Sequence, residues 1–427
     1  MLDINYLRQN SAVVKENLKQ RNNPEYLKLV DEILEADKLW KAEKQNNDDL
    51  RKRRNEISSE INAAKKAGKE ISKLVQEVKE LPKKIEESDA KAEELTKRIR
   101  DNLLNITILL QSDVPNGKDS SENKTVKTVG KKPVFKFTPL SHVDILQKWN
   151  LADLDRASKI SGARWYFLKG DLARLEIALL HYALDFMTKR GYLPTFPPNM
   201  MSRRAYEGVT SLATFEDTLY KIEGEDLYCI ATSEHPLTAQ FMNEVLDDKQ
   251  LPIKLVGFSP CYRKEAGAHG KDTKGIFRVH QFNKVEQIVI CKPEESVHIH
   301  KEITKNIEDF FESLELHFRT ICLCSGDTGF VASKTNDVEV WMPVQNEYRE
   351  VGSSSNCTSY QAVRLNIKYQ GEEKVSAHTL NSTCVATTRA LVAILENCQD
   401  EKGIIHIPKV LQKYCGFKTI PSKKKTK

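Results

Sequence analysis

The sequence predicts an α+β fold, in which an N-terminal antiparallel two-helix coiled coil precedes a mixed domain of strands and helices. Three observations lead to it. Residues 26–104 are charged, poor in glycine and carry apolar residues at steps alternating between three and four. Residues 258–287 alternate apolar and polar side chains around a glycine-containing loop, as a strand pair does. Helical apolar spacing recurs between Leu172 and Phe186 and again after Thr387.

The length of 427 residues allows two or three domains and a large core. Changes in composition divide the chain into an N-terminal domain at 1–112, with the helical arm at about 26–104, a linker at 113–133, a main domain at 134–417 and a basic tail at 418–427. The linker prediction rests on the polar, turn-forming residues between Asp113 and Pro133.

Charge and cysteine content exclude several classes of protein. The net charge of +6 permits a polyanionic partner without requiring one. All nine cysteines lie at or beyond Cys229, and no pair of Cys-x-x-Cys motifs predicts a zinc site. The N-terminus lacks a signal or transit pattern, and no apolar run is long enough to cross a membrane. We therefore expect a reduced, cytoplasmic protein.

The arm should fold back near Gly68, because glycine is a common helix stop. This register pairs Ile57 with Val78 and brings the polar seam residues Asn47 and Ser88 together. Pro82 is expected to kink the second helix. Heptads alone are equally compatible with a dimerisation coil or a spacer. The outer half of the arm is rich in cations, which favours contact with phosphates, and these are Arg51, Lys52, Arg53, Arg54, Lys65, Lys66, Lys69 and Lys73.

The strand pair at 258–287 has two readings. The first is an ordinary hairpin with a solvated basic loop. The second depends on residue order: Tyr262-Arg263-Lys264-Glu265, a variable loop, and then Phe-Arg-Val-His-Gln-Phe-x-Lys-x-Glu-Gln over 277–287. This order resembles motif 2 of the class II aminoacyl-tRNA synthetases, and specifically that of the seryl-tRNA synthetases.

The resemblance extends over nearly the whole chain and implies a class II catalytic domain built on an antiparallel β-sheet flanked by helices. The helix, Gly191 and Pro197-Pro198 resemble motif 1, which implies a homodimer. The arm resembles the one with which this family cradles the long variable arm of serine tRNA. Residues 380–397 resemble motif 3, in a Ser-Thr-Cys-Val-Ala-Thr-Thr version similar to the eukaryotic cytosolic branch.

For the reaction, the resemblance implies that L-serine and ATP form seryl-adenylate and that serine is then transferred to the tRNA 3′ end. It leaves open whether selenocysteine tRNA is also charged. The catalytic residues it implies are Arg263, Glu265 and Arg389. The residues it places around ATP are Arg263, Lys264, Glu265, Arg278, Val279, His280, Gln281, Phe282, Glu350, Val351, Gly352, Ser353 and Arg389.

Serine recognition is carried over in the same way. Thr232 and Glu234 lie in a Thr-Ser-Glu segment that by itself is an ordinary helix N-terminus. The segment resembles the family's Thr-x-Glu loop, which holds the serine amine. A buried carboxylate that accepts the serine hydroxyl proton would reject alanine, because alanine has no hydroxyl and would leave the carboxylate unpaired. The residues implied around serine are Thr232, Glu234, Arg263, Glu286, Asn381 and Thr383. Thr383 occupies a position where the family more often has serine. The resemblance therefore leaves open whether Thr383 or its neighbour Asn381 makes the contact with the substrate serine.

The resemblance also implies Mg²⁺ bound with ATP by Glu350 and Ser353, both hard oxygen ligands, in what is otherwise a serine-rich loop. The loop from Lys264 to Lys274, with His269 and Lys271, is expected to touch the tRNA acceptor end. The basic tail is expected to be disordered, with a weak RNA-binding or nuclear-targeting role left open.

Two other functions compete with this interpretation. A related protein could bind tRNA without activating serine, but the arginines and glutamates of the implied ATP site are all present. A coiled-coil scaffold would keep its function without residues 120–427.

Overall fold

The computed structural model describes residues 1–266, 272 and 274–422, and the chain divides into two compact units. The N-terminal unit covers residues 2–107, and the larger unit begins at Ile108. Their helices and strands follow from different patterns, so each unit is described by itself.

The N-terminal unit consists of two short helices followed by two long ones. They are α1 Ile4–Gln9, α2 Ser11–Lys19, α3 Glu25–Lys66 and α4 Ser72–Leu104. At 1.5 Å per residue, the 42 residues of α3 span about 63 Å and the 33 residues of α4 about 50 Å. Gly68, with φ +65°, lies in the turn between them, as predicted, and Pro82 lies inside α4, which continues through it.

The seam between α3 and α4 confirms the predicted coiled coil. Asn47 Nδ2 donates to Asp89 Oδ1 at 2.9 Å, and Asn102 Nδ2 donates to Glu32 Oε2 at 3.2 Å, so the helices are antiparallel. The Ser88 hydroxyl reaches the carbonyl of Glu43 at 3.4 Å, close to the predicted register. The buried residues of the two helices are Val30, Ile33, Ala36, Asp37, Asn47 and Ile57 on α3 and Leu81, Ile85, Ser88 and Leu103 on α4.

The larger unit combines many short elements around one large sheet. Its helices are α5 His142–Lys148, α6 Leu154–Ser161, α7 Gly170–Thr188, α8 Arg203–Val209, α9 Leu212–Phe215, α10 Glu234–Ala239, α11 Ser296–Ser313, α12 Tyr360–Leu365, α13 Thr387–Asn397 and α14 Lys409–Cys415. Its strands are β1 Lys124–Val129, β2 Ala152–Asp153, β3 Phe167–Leu168, β4 Leu193–Thr195, β5 Met200–Ser202, β6 Leu227–Cys229, β7 Val245–Asp247, β8 Ile253–Tyr262, β9 Gln281–Cys291, β10 Phe318–Cys322, β11 Lys334–Met342, β12 Glu347–Thr358, β13 Lys368–Gln370, β14 Lys374–Ser376, β15 His378–Ala386, β16 Ile405–His406 and β17 Thr419–Ile420.

The main sheet has eight strands in the order β1-β10-β11-β12-β15-β9-β8-β4. Its neighbouring strands pair antiparallel except β4 with β8, which are parallel. Val285 and Val289 of β9 belong to the main core with residues of α7, α11 and α13. Because side chains alternate along a strand, Lys284 and Glu286 lie on the opposite face of β9, where the candidate site is found.

The structure differs from the predicted linker at 113–133. Strand β1 lies within it and pairs with β10 at the edge of the main sheet. The burial pattern of β1 is mostly exposed, and its lysines suit an edge strand because charged side chains discourage pairing with other chains. Lys127 Nζ also reaches Glu308 Oε2 at 2.5 Å. The polar composition of residues 113–133 predicted a linker, although the segment contains an edge strand.

The return strand of the 258–287 pair also begins later than predicted. The alternation of apolar and polar residues over Phe277–Phe282 predicts the start of this strand, whereas β9 begins at Gln281. His280 explains the delay, because its backbone N–H donates to the carbonyl of Arg164 at 3.2 Å and its Nδ1 bonds to the carbonyl of Arg263 at 2.9 Å. None of the helices in the described part of the chain has the length and apolar content needed to span a membrane.

Candidate active site

A cavity of about 510 Å³ lies on one face of the central strands of the main sheet. Strand β9 and the segment that follows β8 form one side, β12 and β15 form another, and α10 contributes from outside the sheet. The predicted residues that line it are Thr232, Glu234, Arg263, Glu265, Arg278, Glu286, Glu350, Ser353, Asn381, Thr383 and Arg389. A smaller adjoining cavity adds Val279, Phe282, Val351 and Gly352.

Sheet register explains why residues far apart in sequence meet here. Thr383 of β15 lies directly opposite Glu286 of β9. The Thr383 hydroxyl donates to Glu286 Oε2 at 3.2 Å. The register shifts between Thr383 and Val385, and such bulges often occur beside functional sites because they redirect side chains. Asn381 lies on the same strand, and its Nδ2 donates to Cys357 Sγ at 3.5 Å.

Glu234 is held by a neutral partner. Gln361 Nε2 donates to Glu234 Oε1 at 2.8 Å, and the Thr379 hydroxyl donates to Gln361 Oε1 at 2.6 Å. Burial, and then the charge of Glu286, raise the pKa of Glu234 to about 7. Thr232 Oγ1 accepts the backbone N–H of Glu234 at 3.1 Å, so Thr232 makes the local helix-start contact as well as lining the cavity.

Glu286 has a charged partner instead. Lys284 Nζ lies 2.5 Å from Glu286 Oε2, and the side chains are only 7% and 2% exposed. Two carboxylates, the half-buried Glu234 and the buried Glu286, thus face the same cavity with different partners. Carboxylates in this setting can bind an ammonium group and accept a hydroxyl proton.

Three arginines surround the other end of the cavity. Arg278 Nη1 lies 2.8 Å from Glu265 Oε2, and Arg389 Nη1 lies 2.8 Å from Glu350 Oε1. Arg263 places its guanidinium 5.3 Å from the ring centroid of Phe282. Glu265 has φ +50°, a left-handed conformation that is uncommon outside glycine and that clusters at functional sites. Planar guanidinium groups in this number suit phosphate recognition.

The sheet also brings carboxylate and hydroxyl oxygens close to one another. Asp337 of β11 lies opposite Ser353 of β12. Asp337 Oδ1 is buried without a hydrogen-bond partner in the described structure. Arg389 is the main cause that lowers the pKa of Glu350, whereas burial raises the pKa of Asp337. Carboxylate and hydroxyl oxygens are the donors that a hard ion such as Mg²⁺ prefers, so the side chains of Glu350 and Ser353 fit such an ion.

Some predicted residues lie away from both cavities. Lys264 is exposed, and its Nζ lies 6.0 Å from the ring centroid of Tyr220. His280 stacks on Trp165, and Gln281 is exposed. Lys274 is exposed as well. The predictions for His269, Lys271 and residues 423–427 of the tail lie outside the described residues.

Sequence reasoning gave no role to Lys284 or Gln361. Lys284 lies within the motif 2 segment, two residues before Glu286, so the alternation of a strand was a usable signal that the two share a face. Gln361 lies 127 residues from Glu234, and no local pattern connects them.

Two family descriptions match the chain. The seryl-tRNA synthetase N-terminal domain matches residues 1–109, and the class II tRNA synthetase core domain (G, H, P, S and T) matches residues 215–398. The chain is 49% identical over 418 residues to the serine–tRNA ligase of Methanocella arvoryzae, covering 97% of this chain and 98% of that relative.

Two solved structures are also similar to this chain over nearly its whole length. The chain is similar to the seryl-tRNA synthetase of Pyrococcus horikoshii complexed with ATP, with a TM-score of 0.95, 45% identity and coverage of 98% of this chain and 99% of that one. It is also similar to the cytoplasmic serine–tRNA ligase of Naegleria fowleri in complex with AMP, with a TM-score of 0.89, 37% identity and coverage of 99% of both chains.

The curated relatives are archaeal, so they lend no support to the finer resemblance to the eukaryotic cytosolic branch. Both parts of the family pattern occur in order along the chain, and the relatives match it over nearly its whole length. The chain therefore belongs to the seryl-tRNA synthetase family of class II ligases.

Proposed function

We propose that this chain activates L-serine with ATP to form seryl-adenylate and then transfers serine to the 3′ end of serine tRNA. One observation carries the proposal: a single cavity combines the buried carboxylate of Glu286 and the half-buried carboxylate of Glu234 with three arginines. In the first step a serine carboxylate oxygen attacks the α-phosphorus of ATP, and pyrophosphate leaves. In the second step a terminal tRNA hydroxyl attacks the seryl carbonyl, and AMP leaves.

The carboxylate end of the cavity is proposed to bind serine. Glu234 and Thr232 receive the amine, and Glu286 accepts the hydroxyl proton. Thr383 supports this role because its hydroxyl already donates to Glu286, and Asn381 lines the same wall. Alanine offers no hydroxyl, so it would leave the buried acceptor unpaired, which costs binding energy.

The arginine end is proposed to bind ATP. Arg263 meets both the serine carboxylate and the α-phosphate, and Arg389 meets the γ-phosphate. Phe282 offers its ring to the adenine. Arg278 and Glu265, joined by their ion pair, complete the wall together with Val279, Val351 and Gly352. Lys264, His280 and Gln281 would contribute through their backbone. This arrangement catalyses by holding the reactants in line and stabilising developing charge.

Glu350 and Ser353 are proposed to hold Mg²⁺ with the ATP phosphates. The unpaired oxygen of Asp337 beside Ser353 and the lowered pKa of Glu350 support a cation at this position. When bound, the ion supplies charge neutralisation for the triphosphate.

The coiled-coil arm is proposed to bind the variable arm of serine tRNA. Arg51 and Arg53 form ion pairs with Asp89 and Glu77 of α4, so they also brace the arm. Of the eight outer cations predicted to contact phosphates, Arg51, Lys52 and Arg53 form ion pairs, whereas Arg54, Lys65, Lys66, Lys69 and Lys73 are exposed and form none with the described residues. Free cations on a long projection suit phosphate contacts. The loop at 264–274 is proposed to touch the acceptor end.

The chain is also proposed to form a homodimer through the motif 1 region. Large apolar side chains are exposed there, including Ile177 at 66%, Leu193 at 64% and Phe196 at 70%. Contiguous exposed apolar surface commonly marks an interface. The proposed domains remain 1–112 for tRNA binding and 134–417 for catalysis, with the strand at 124–129 joined to the latter.

A cytoplasmic location is proposed on two grounds. All nine cysteines are free, as expected in a reducing compartment, and the relative from Naegleria fowleri is described as cytoplasmic. Experiments can also test whether the basic tail binds RNA or directs nuclear targeting, and whether the protein charges selenocysteine tRNA.

The test is serine-dependent ATP–pyrophosphate exchange together with charging of serine tRNA. Exchange is expected with serine and not with alanine or threonine. Arg389→Ala should lower exchange about 100-fold or more, because a donor aimed at transition-state charge is lost. Arg319→Ala is a matched control, since Arg319 also forms an ion pair, with Glu339 at 2.6 Å, but does not line the cavity. Absence of exchange in a folded, ATP-binding protein would instead favour a tRNA-binding relative without activity.

A further inference from the structure

The ion pair between Lys284 and Glu286 is the feature of the cavity that the proposed function does not use. Both residues belong to β9, two positions apart, so both point to the cavity face. Both contacts that Glu286 receives fall on one oxygen: Lys284 Nζ lies 2.5 Å from Oε2, and the Thr383 hydroxyl donates to Oε2 at 3.2 Å. The described residues give Oε1 no hydrogen bond.

The second carboxylate of the cavity has the opposite arrangement. Glu234 receives the amide of Gln361, and that amide is fixed in orientation because Nε2 also donates to the carbonyl of Val209 at 3.2 Å while Oε1 accepts from Thr379. No ion pair joins Glu234 to a cation of the described chain. The two carboxylates therefore have one ammonium between them, that of Lys284, and the proposed serine pocket contains one cation fewer than it has carboxylates.

The other charged groups near this pair do not fill the gap. Arg278 and Arg389 are paired with Glu265 and Glu350. Arg263 lies over Phe282 and bonds to the carbonyl of Ala231. His235, next to Glu234, has its pKa lowered to about 3, chiefly by burial, so it is neutral. The ammonium of an incoming amino acid is the remaining candidate.

We propose that Lys284 sets the orientation of the amino acid by occupying Glu286, so that the substrate ammonium pairs with Glu234 and Glu286 Oε1 accepts only a neutral donor such as a hydroxyl. Lys284 is thus a specificity-determining positioning residue. The inference rests on the proposed roles of Glu234 and Glu286. It adds a class of amino acid that the site excludes: those with an ammonium in place of the serine hydroxyl.

The physical reason is charge balance in a buried site. With Lys284 present, a side-chain ammonium at the hydroxyl position would face a carboxylate that is already neutralised and a cation 2.5 Å from it. Without Lys284, two unpaired carboxylates would face one substrate ammonium. Serine could then bind in either orientation, and a second ammonium on the ligand would become favourable.

The test compares serine with 2,3-diaminopropionate, which carries an amine where serine has its hydroxyl. Amino-acid-dependent ATP–pyrophosphate exchange is measured for the wild type, Lys284→Met and Lys284→Arg. For Lys284→Met we expect the serine KM to rise about 10- to 100-fold, as for loss of a charged hydrogen bond. The preference for serine over 2,3-diaminopropionate should fall by a similar factor, and ATP affinity measured without amino acid should be unchanged. Lys284→Arg keeps a cation and should keep the preference.

Lys254→Met is the matched control. Lys254 lies on the neighbouring strand β8 and forms an ion pair with Glu302 at 2.7 Å, but it does not line the cavity. This variant should keep the wild-type preference. Should Lys284→Met not fold, Lys284→Gln replaces it, because an amide can bond to Glu286 without a charge.

The results separate the two proposals. A wild-type protein without serine-dependent exchange would overturn the proposed function. An active wild type with a folded Lys284→Met or Lys284→Gln variant that loses both amino acids equally, leaving the preference unchanged, would overturn only the orientation role and reduce Lys284 to a structural residue.

Discussion

Glu234 allows a test of the site through stability instead of activity. Removal of its carboxyl group from water, and then the charge of Glu286, raise the pKa of Glu234 from 4.5 to about 7. A carboxyl group with a raised pKa binds its proton more tightly in the folded state. Its contribution to stability is therefore full below about pH 4.5 and is lost as the pH rises through about 7. Glu234→Gln removes the charge and with it this loss.

The size of the effect follows from the two pKa values. A tenfold difference in proton affinity is worth about 1.4 kcal/mol. The penalty of the wild type relative to Glu234→Gln is then about 1 kcal/mol at pH 5 and about 3 kcal/mol at pH 8. Glutamine keeps the shape and can still accept from Gln361, so packing should change little. The variant should melt a few degrees higher than the wild type at pH 8, with a smaller gain at pH 5.

The assay is thermal denaturation of both proteins at pH 5 and pH 8 without ligands. Glu223→Gln, at an exposed carboxylate, controls for the substitution itself and should give the same difference at both pH values. Serine-dependent exchange should fall in Glu234→Gln, because the amine loses its counter-charge, so stability and activity move in opposite directions. An equal change in melting temperature at pH 5 and pH 8 would refute the reasoning, since it would mean that Glu234 carries no burial penalty.

Three further predictions concern other parts of the chain. Changing Lys65, Lys66 and Lys69 together to glutamate should lower charging of serine tRNA at least about tenfold while ATP–pyrophosphate exchange stays normal; an unchanged charging rate at physiological salt would argue against the arm. Ile177→Asp should shift the mass measured by light scattering from dimer to monomer, because it places a charge in the proposed apolar interface, and an unaltered dimer would move the interface elsewhere. Glu350→Gln should raise the Mg²⁺ concentration needed for half-maximal exchange, since an anionic ligand is lost; a Mg²⁺ profile identical to that of the wild type would exclude Glu350 as a ligand.

Local periodicity made much of the fold predictable. The heptad pattern of 26–104 identifies the two long helices because an a/d seam is a property of consecutive turns. The polar seam residues Asn47 and Ser88 also indicate the register, since a polar group buried in the seam needs a partner across it. Strand β1 was not predicted. An exposed edge strand needs few apolar residues, so the composition of β1 is like that of a loop.

Part of the candidate site was also predictable from the sequence, and part was not. Motif order along the chain identified Arg263, Glu286, Glu350 and Arg389, and the structure brings all four to one cavity. The segment at 277–280 was predicted as strand, but the hydrogen bonds of His280 with Arg164 and Arg263 end the strand pairing there. The sequence does alternate apolar and polar residues there, but hydrogen bonds to residues distant in the chain determine the backbone conformation.

The sequence by itself determined the family, the coiled-coil arm and the identity of most charged residues around the cavity, because these follow from periodicity and from motifs contiguous in the chain. Only the tertiary structure decided which carboxylate has which partner. Glu286 is joined to Lys284, while Glu234 depends on Gln361, and that choice sets the charge balance of the pocket. The physical reason is that pairing and burial are properties of distances in space, which strand register and helix packing create between residues far apart in the chain, such as Glu234 and Gln361 at a separation of 127 positions.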